Sequence, residues 1–353
     1  MFEKELDELE YISKAAGIPV DYTQGGGGNT SAKLDGQLMA VKASGFKLKQ
    51  ITPKEGYVVV NYKNIKDYYE NVDLKSDADF EKESVEFVKS NIVETEGIKT
   101  LRPSVEAGFH SILKKFVIHT HSVYANILCC TGTGKETVEK IFKGKDYGVI
   151  WIPYINPGFC LTLRINEEIK KAVSESGRFP QVIFMENHGL VVSGDDAKGT
   201  VELHREVNDT IKEYLGIKAG YPEVRIEARE GGGFMSRTAY LSDYFKSNKI
   251  DADFFDRTVL YPDQLVYLNG SISVDGSGKK LNINTSSGEI IYNTDSPEEA
   301  QTIEETLLAY LYVLEGIKKS VLPLKTMSPK EIDFIKNWES EAYRKSLVKS
   351  LSK

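Results

Sequence analysis

Short apolar runs set between longer amphipathic stretches constrain this chain more than any other feature. FVIHT from residue 116, GVIWI from 148 and VIFM from 182 have the length of buried strands. The segments between them read as helical or turn-like, and such alternation points to an α/β fold, on its own to a parallel sheet. Further strands are expected in GGGGNTSAKL from Gly25, QLMAVKA from Gln37 and GYVVVNY from Gly56, joined by glycine turns. Leu6, Leu9, Ile12 and Ala15 recur at helical spacing until Gly17 and Pro19 stop the pattern. A charged segment runs from about Lys63 to Lys99. RPSVEAGFHSIL then predicts a helix capped by Ser104, with Val105, Phe109 and Leu113 in register. Val201, Leu203, Val207, Ile211 and Leu215 give residues 196–215 the apolar face of a long helix that Gly216 ends.

The 353 residues, at about 150 per domain, suggest two domains. The glycine cluster at 231–233 and the polar stretch after it mark the edge, so the expected division is 1–245 and 246–353. In the second part, LVYLNGSISVDGSGKKLNINTSSGEIIYN reads as a small antiparallel meander with turns at Asn269-Gly270, Asp275-Gly276 and Ser287-Gly288. Two helices should follow, because Ser296-Pro-Glu-Glu299 and Ser328-Pro-Lys-Glu331 both carry the capping-box pattern with proline at the first helical position. The polar tail ending KSLSK is expected to fray.

Composition removes several function classes. Forty-five Lys and Arg against 52 Asp and Glu leave a net charge of −7, so no basic footprint for nucleic acid or an anionic membrane is expected. No apolar run approaches the roughly 18 residues of a membrane span, and the acidic start MFEKELDELEYISK does not read as a signal peptide. Cys129, Cys130 and Cys160 form no CxxC pair and no even disulfide framework. The expectation is a cytoplasmic protein with buried, chemically inert cysteines.

Candidate chemistry centres on histidine. His119 and His121 flank Thr120 in a strand-like context, where a period of two turns both imidazoles to one face, as ligands of a single metal require. Structural or surface histidines are the alternative. His188 in ENHGLVV lies just beyond an apolar run, at a strand end, and three histidines would leave coordination positions open for water or substrate. Glu106 is either a base or ligand returned to the histidines by a short connection, or a solvated first-turn glutamate. His110, four residues on, suits a supporting or packing role, and His204 a structural one. GGGGNTS and Ser44-Gly45 could offer backbone amides and hydroxyls to a phosphate, or simply form flexible turns. A Walker lysine pattern and a GxGxxG motif between strand and helix are both missing, so no nucleotide cofactor is expected.

Taken in order, GGGGNTSAK, VKASG, RPSVEAGFH, HTHS, IPYINPGF and ENHGLVVSG resemble the class II aldolase/adducin family over roughly residues 5–218, most closely the aldolase portion of bifunctional rhamnulose-1-phosphate aldolase/alcohol dehydrogenases. The resemblance implies a three-layer α/β/α fold with a mostly antiparallel central sheet, homotetramers with sites near subunit interfaces, and a divalent metal, usually Zn2+. By position, His119, His121 and His188 match the metal ligands and Glu106 the catalytic acid/base. Asn29, Ser44, Gly45 and Ser104 match the phosphate-binding positions, and Tyr154 falls near the tyrosine that protonates the aldehyde oxygen. Where fuculose-type aldolases have two serines before the glutamate, this chain has Ser104 and then Val105. The bifunctional relatives continue into a Rossmann dehydrogenase, whereas residues 246–353 read as a small α+β extension.

The implied activity is a metal-dependent lyase that cleaves a phosphorylated ketose, such as rhamnulose 1-phosphate, to dihydroxyacetone phosphate and an aldehyde through a metal-stabilised enediolate. Its expected partner is a small sugar phosphate. Pentulose-phosphate 4-epimerase, sugar-phosphate dehydratase and decarboxylase are alternatives on the same residues, and a metal-free adducin-like interaction module is the non-enzyme alternative.

Overall fold

The computed structural model describes residues 2–95, 99 and 101–337. It divides into two compact units, Met1–Cys129 with Gly134–Tyr214, and Cys130–Thr133 with Leu215–Lys353.

The first unit is built on β1 (Asn29–Lys33), β2 (Leu38–Lys42), β3 (Tyr57–Asn61), β4 (Phe116–Thr120), β5 (Gly148–Ile152), β6 (Pro180–Met185) and β7 (Gly189–Gly194). They form one sheet in the order β3-β2-β1-β4-β7-β6-β5. β5 and β6 are parallel, and the other neighbours are antiparallel. The parallel sheet suggested by the apolar runs alone gives way because β1 to β2 and β6 to β7 are joined by connections too short for a crossover.

Helices α1 (Glu3–Gly17), α2 (Tyr62–Asn71), α3 (Phe80–Ser90), α4 (Ala107–Ile112), α5 (Val123–Cys129), α6 (Gly134–Ile141), α7 (Phe159–Ser176) and α8 (Ala197–Tyr214) surround it. The charged stretch after β3 thus supplies two helices, whose N-caps Asn61 and Asp79 accept from the amides of Asn64 and Lys82. One apolar cluster joins Leu9, Ile12 and Ala16 of α1 and Val201 of α8 to Phe116 and Ile118. Another, on the opposite face, joins Phe109 of α4 and Ile165 of α7 to Val117, Ile183 and Val191. β4 is buried along its whole length between these layers, so its alternation decides what each face receives. His119 follows Val117 toward α4, whereas Thr120 follows Ile118 toward α8 and meets His204 Nε2 at 2.8 Å.

The second unit contains β8 (Ile226–Ala228), β9 (Phe234–Ser236), α9 (Ala239–Ser247), α10 (Phe254–Arg257), α11 (Pro262–Tyr267), β10 (Ile272–Val274), β11 (Leu281–Asn284), β12 (Glu289–Tyr292), α12 (Pro297–Lys319) and α13 (Pro329–Asn337). Its sheet runs β10-β11-β12-β9-β8. Here the structure corrects the expected meander. LVYL begins inside helix α11, with Pro262 in its first turn, because a short buried apolar run fits either state. β10 lies parallel to β11: the turn at Asp275 closes no hairpin, and its carboxylate instead accepts from Thr285 N and Oγ1.

The glycines at 231–233 lie in the hairpin between β8 and β9, and β9 pairs with β12. Residues 215–245 therefore belong to the second unit, and the edge expected at 245/246 falls at Tyr214/Leu215. Both capping signals mark real helix starts. Ser296 accepts from Glu299 N, and Ser328 and Glu331 form the full reciprocal pair. Among the described residues no helix is long and apolar enough to cross a membrane. KSLSK lies outside the described residues.

Candidate metal centre and its carboxylate

β4 carries His119 in the sheet and His121 just beyond its end, and the turn between β6 and β7 supplies His188. That turn is sharp. Asn187 adopts φ 48°, its amide donates to Cys129 O and the His188 amide to Met185 O. Gly189 opens β7 where side chains have no room: a Cβ there would lie 2.4 Å from Thr120 O and 3.3 Å from the His121 ring. The three imidazoles are buried, with one ligand atom from each within 4.8 Å of the others. His119 Nε2 and His121 Nε2 are 3.2 Å apart.

The fourth member is Glu106, the N-cap of α4. It is 3% exposed, so the solvated alternative is excluded. Its Oε1 lies 3.2 Å from His188 Nε2 and its Oε2 3.5 Å from His119 Nε2. Ser104 does not cap α4 by side chain as the sequence suggested. The helix starts later, and Ser104 Oγ accepts from the Glu106 amide at 3.3 Å, which fixes the residue that bears the carboxylate.

The donor set fits a cation. His119 Nδ1 lies 3.0 Å from Leu190 O; a carbonyl only accepts, so the proton sits on Nδ1 and the Nε2 lone pair points into the cluster. Burial, reinforced by the neighbouring His121 and His188, holds the His119 ring well below the usual imidazole range, against the pull of Glu106, and hence neutral. His188 Nδ1 is buried and has no hydrogen-bond partner among the described residues. Inward lone pairs beside a carboxylate repel one another until a positive ion lies among them, and nitrogen plus carboxylate oxygen suits zinc or another borderline divalent ion.

β1 adds the polar wall. Asn29 is the register partner of His119, and its Nδ2 donates to Glu106 Oε2 at 2.5 Å and to Ser104 Oγ at 3.2 Å. Gly28, at φ 64°, lets the backbones meet, since a Cβ there would lie 2.6 Å from His119 O. Ser44 and Gly45 follow β2 and are linked to Ser104 through backbone: Ser44 N donates to Arg102 O and Ser104 N to Lys42 O. Tyr154 stands half-buried after β5, its amide on Glu186 Oε2 at 3.1 Å, which ties the loop's backbone to the turn that bears His188.

Sequence reading overlooked Lys42. This lysine is 3% exposed and donates from Nζ to Gly26 O at 3.1 Å, bracing the glycine loop beside Asn29. A charged residue closing the otherwise apolar LMAVK was the available signal. His204 is buried and bonds Thr120 and Asn208 on the far face of the sheet, as a structural histidine should.

Residues 19–215 match the family described as the Class II Aldolase and Adducin N-terminal domain. Among curated proteins, an uncharacterized oxidoreductase, YuxG, of Bacillus subtilis is 27% identical over 230 residues, covering 63% of this chain and 31% of that protein. The chain thus spans about a third of that relative's length. A 3-oxo-tetronate 4-phosphate decarboxylase of Haemophilus influenzae is 23% identical over 208 residues, 56% of this chain and 80% of that one. Among solved structures, the N-terminal class II aldolase domain of a conserved protein from Thermoplasma acidophilum has a TM-score of 0.49 at 25% identity, over 61% of this chain and 95% of that one.

Proposed function

Since the chain belongs to the class II aldolase and adducin family, we propose that it is a metal-dependent carbon–carbon lyase acting on a phosphorylated ketose, with rhamnulose 1-phosphate as the first substrate to try. The observation that carries this reading is the buried convergence of His119, His121 and His188 on the Glu106 carboxylate. In this reading the three histidines hold Zn2+ or another divalent ion, which when bound supplies Lewis acidity toward the substrate's carbonyl and hydroxyl oxygens.

Ser44, Gly45 and Ser104 bind the phosphate and orient the ketose against the centre, while Asn29, whose carboxamide is engaged by Glu106, Ser104 and His110, holds that wall in place. In the cleavage direction the C3–C4 bond breaks and its electron pair stays on C3. The C4 hydroxyl gives up its proton, and Glu106, ionised at rest, takes up one proton and delivers it to C3 as dihydroxyacetone phosphate forms, so that one proton leaves the substrate and one enters. Tyr154 exchanges a proton with the C4 oxygen as that oxygen becomes the aldehyde. Burial of the centre excludes water, which would otherwise compete for the same proton. The proposal extends to a cytoplasmic homotetramer in which the first unit, ending at Tyr214, carries the catalysis and the second is accessory.

Decarboxylation is the second reading, because one relative is named as a sugar-acid phosphate decarboxylase and loss of carbon dioxide leaves the same kind of carbanion. The test is elemental analysis of untagged wild type and His119→Ala, with assays for dihydroxyacetone phosphate release from rhamnulose and fuculose 1-phosphates and for carbon dioxide release from 3-oxo-tetronate 4-phosphate. Stoichiometric metal and aldehyde release, both lost in the variant, is the expected result. Metal with carbon dioxide release would select the second reading, and a wild type that takes up no metal on zinc reconstitution would refute both.

A further inference from the structure

Behind Glu106, buried side chains from β1 and α4 are connected in series. Ser31 Oγ lies 2.7 Å from His110 Nδ1, His110 Nε2 meets Asn29 Oδ1, and Asn29 Nδ2 meets Glu106 Oε2 at 2.5 Å. Exposure is 3% or less at each of the four residues, so water cannot substitute for a missing partner.

The direction of each bond follows from the next. An ionised carboxylate only accepts, so Asn29 turns its NH2 to Glu106 and its carbonyl oxygen to His110. That oxygen also only accepts, so His110 must carry a proton on Nε2. Burial holds this ring far below the usual imidazole range, at about 3, which leaves it neutral. The remaining lone pair on Nδ1 then accepts from the Ser31 hydroxyl. At the other end, Asn29 Nδ2 and the Glu106 amide both donate to Ser104 Oγ, so the Ser104 hydroxyl hydrogen is left to donate outward.

Resting on the lyase reading above, we propose that His110 is a positioning residue for that site: as the neutral Nε2–H tautomer it locks the Asn29 carboxamide in one of its two flips. That flip holds Glu106 Oε2 as an acceptor, leaves Oε1 facing the histidine centre, and sets Ser104 as a donor toward a substrate oxyanion. A flipped carboxamide would set its oxygen against the carboxylate and free Glu106 to rotate. His110 touches no reacting atom in this scheme and acts through Asn29 alone.

The test compares wild type with His110→Leu, which keeps bulk without a donor, and His110→Gln, which restores an N–H near the position of Nε2. In metal-free protein, ¹⁵N shifts of labelled histidine report the tautomer, an assignment made tractable by only five histidines in the chain. Exchange of the Asn29 carboxamide protons reports the lock, and elemental analysis after zinc reconstitution checks that the centre survives. The expected result is a neutral Nε2–H His110, with Asn29 protons protected in wild type and His110→Gln but exposed in His110→Leu. Zinc content should be equal in all three, and kcat/KM should fall roughly ten- to a hundredfold in His110→Leu and recover in His110→Gln.

An Nδ1–H or charged His110, unchanged Asn29 protection in His110→Leu, or a His110→Gln no better than His110→Leu would overturn the proposal. If His110→Leu does not fold, the wild-type tautomer and His110→Gln decide. If wild type cleaves no ketose phosphate, the lyase reading fails, while the tautomer and exchange results still decide the relay.

Discussion

Gly189→Ala tests whether the spacing between β4 and β7 is what assembles the three histidines. Gly189 pairs with Met185 across the β6–β7 turn and directly follows His188. Its backbone is not in the left-handed region, so an alanine there is opposed by contact and not by φ. The added methyl would lie 2.4 Å from Thr120 O, whereas a carbon–oxygen contact relaxes near about 3.3 Å. Roughly 0.9 Å must open between the strand bearing His119 and the turn bearing His188, against backbone that cannot rotate aside. Overpacking of this kind costs about 1–3 kcal/mol, or roughly 2–12 °C in Tm for a unit of this size.

Metal sites tolerate ligand displacements of about 0.2 Å, so zinc affinity should fall by at least about tenfold as well. Thermal unfolding with and without zinc, together with a competitive zinc titration, measures both effects. Gly36→Ala, with no atom within 4 Å of the added carbon, is the control expected to change neither. A Gly189→Ala protein with wild-type Tm and zinc affinity would show that β4–β7 contact does not set the centre.

Glu106→Gln keeps an acceptor for Asn29 but loses the proton shuttle. We expect a drop in kcat of at least about a hundredfold with metal content unchanged, and solvent-deuterium exchange into dihydroxyacetone phosphate should disappear with it. The pH dependence of metal-free stability should carry the signature of His204, which burial, then the Arg205 charge, lower to about 3. Between about pH 6.5 and 3 the unfolded chain binds a proton there that the native state does not. This contribution is therefore complete above pH 6.5 and is lost as pH falls, at about 1.4 kcal/mol per unit; a His204→Gln protein whose acid-side slope matches wild type would refute it. Lys42→Met removes the brace on Gly26 O, and a charge-assisted bond of this kind is worth about 1.5–3 kcal/mol. The expected readout is a lowered urea midpoint with faster amide exchange at Gly26–Asn29, and unchanged exchange would show that the loop is held by other contacts.

Much of the fold is local in origin and was legible for that reason. The spacing of Leu9 and Ile12, the apolar runs of β4 to β6, the face of α8 and the serine-proline starts of α12 and α13 each express a preference complete within a few residues. So does the HxH alternation, since a period of two suffices to place His119 and His121 together once β4 is a strand. Pairing is different, because a strand's sequence records how far it is buried and not which neighbour buries it. Hence the direction of β10 against β11, the helical state of Leu265 and Val266, and the recruitment of residues 215–245 into the second unit by β9 and β12 emerged only from the structure.

The same holds for the site. Residue types announced His119, His121, His188 and Glu106, and the ordered motifs indicated a family. That Asn29 stands beside His119, that it turns its amide to Glu106, and that His110 holds it there are consequences of β1 pairing with β4 beneath α4. The two side-chain contacts join residues 77 and 81 positions apart. Distances of a few tenths of an ångström between such residues decide which atom donates and which accepts, and only the folded chain, closing all its backbone hydrogen bonds at once, specifies them.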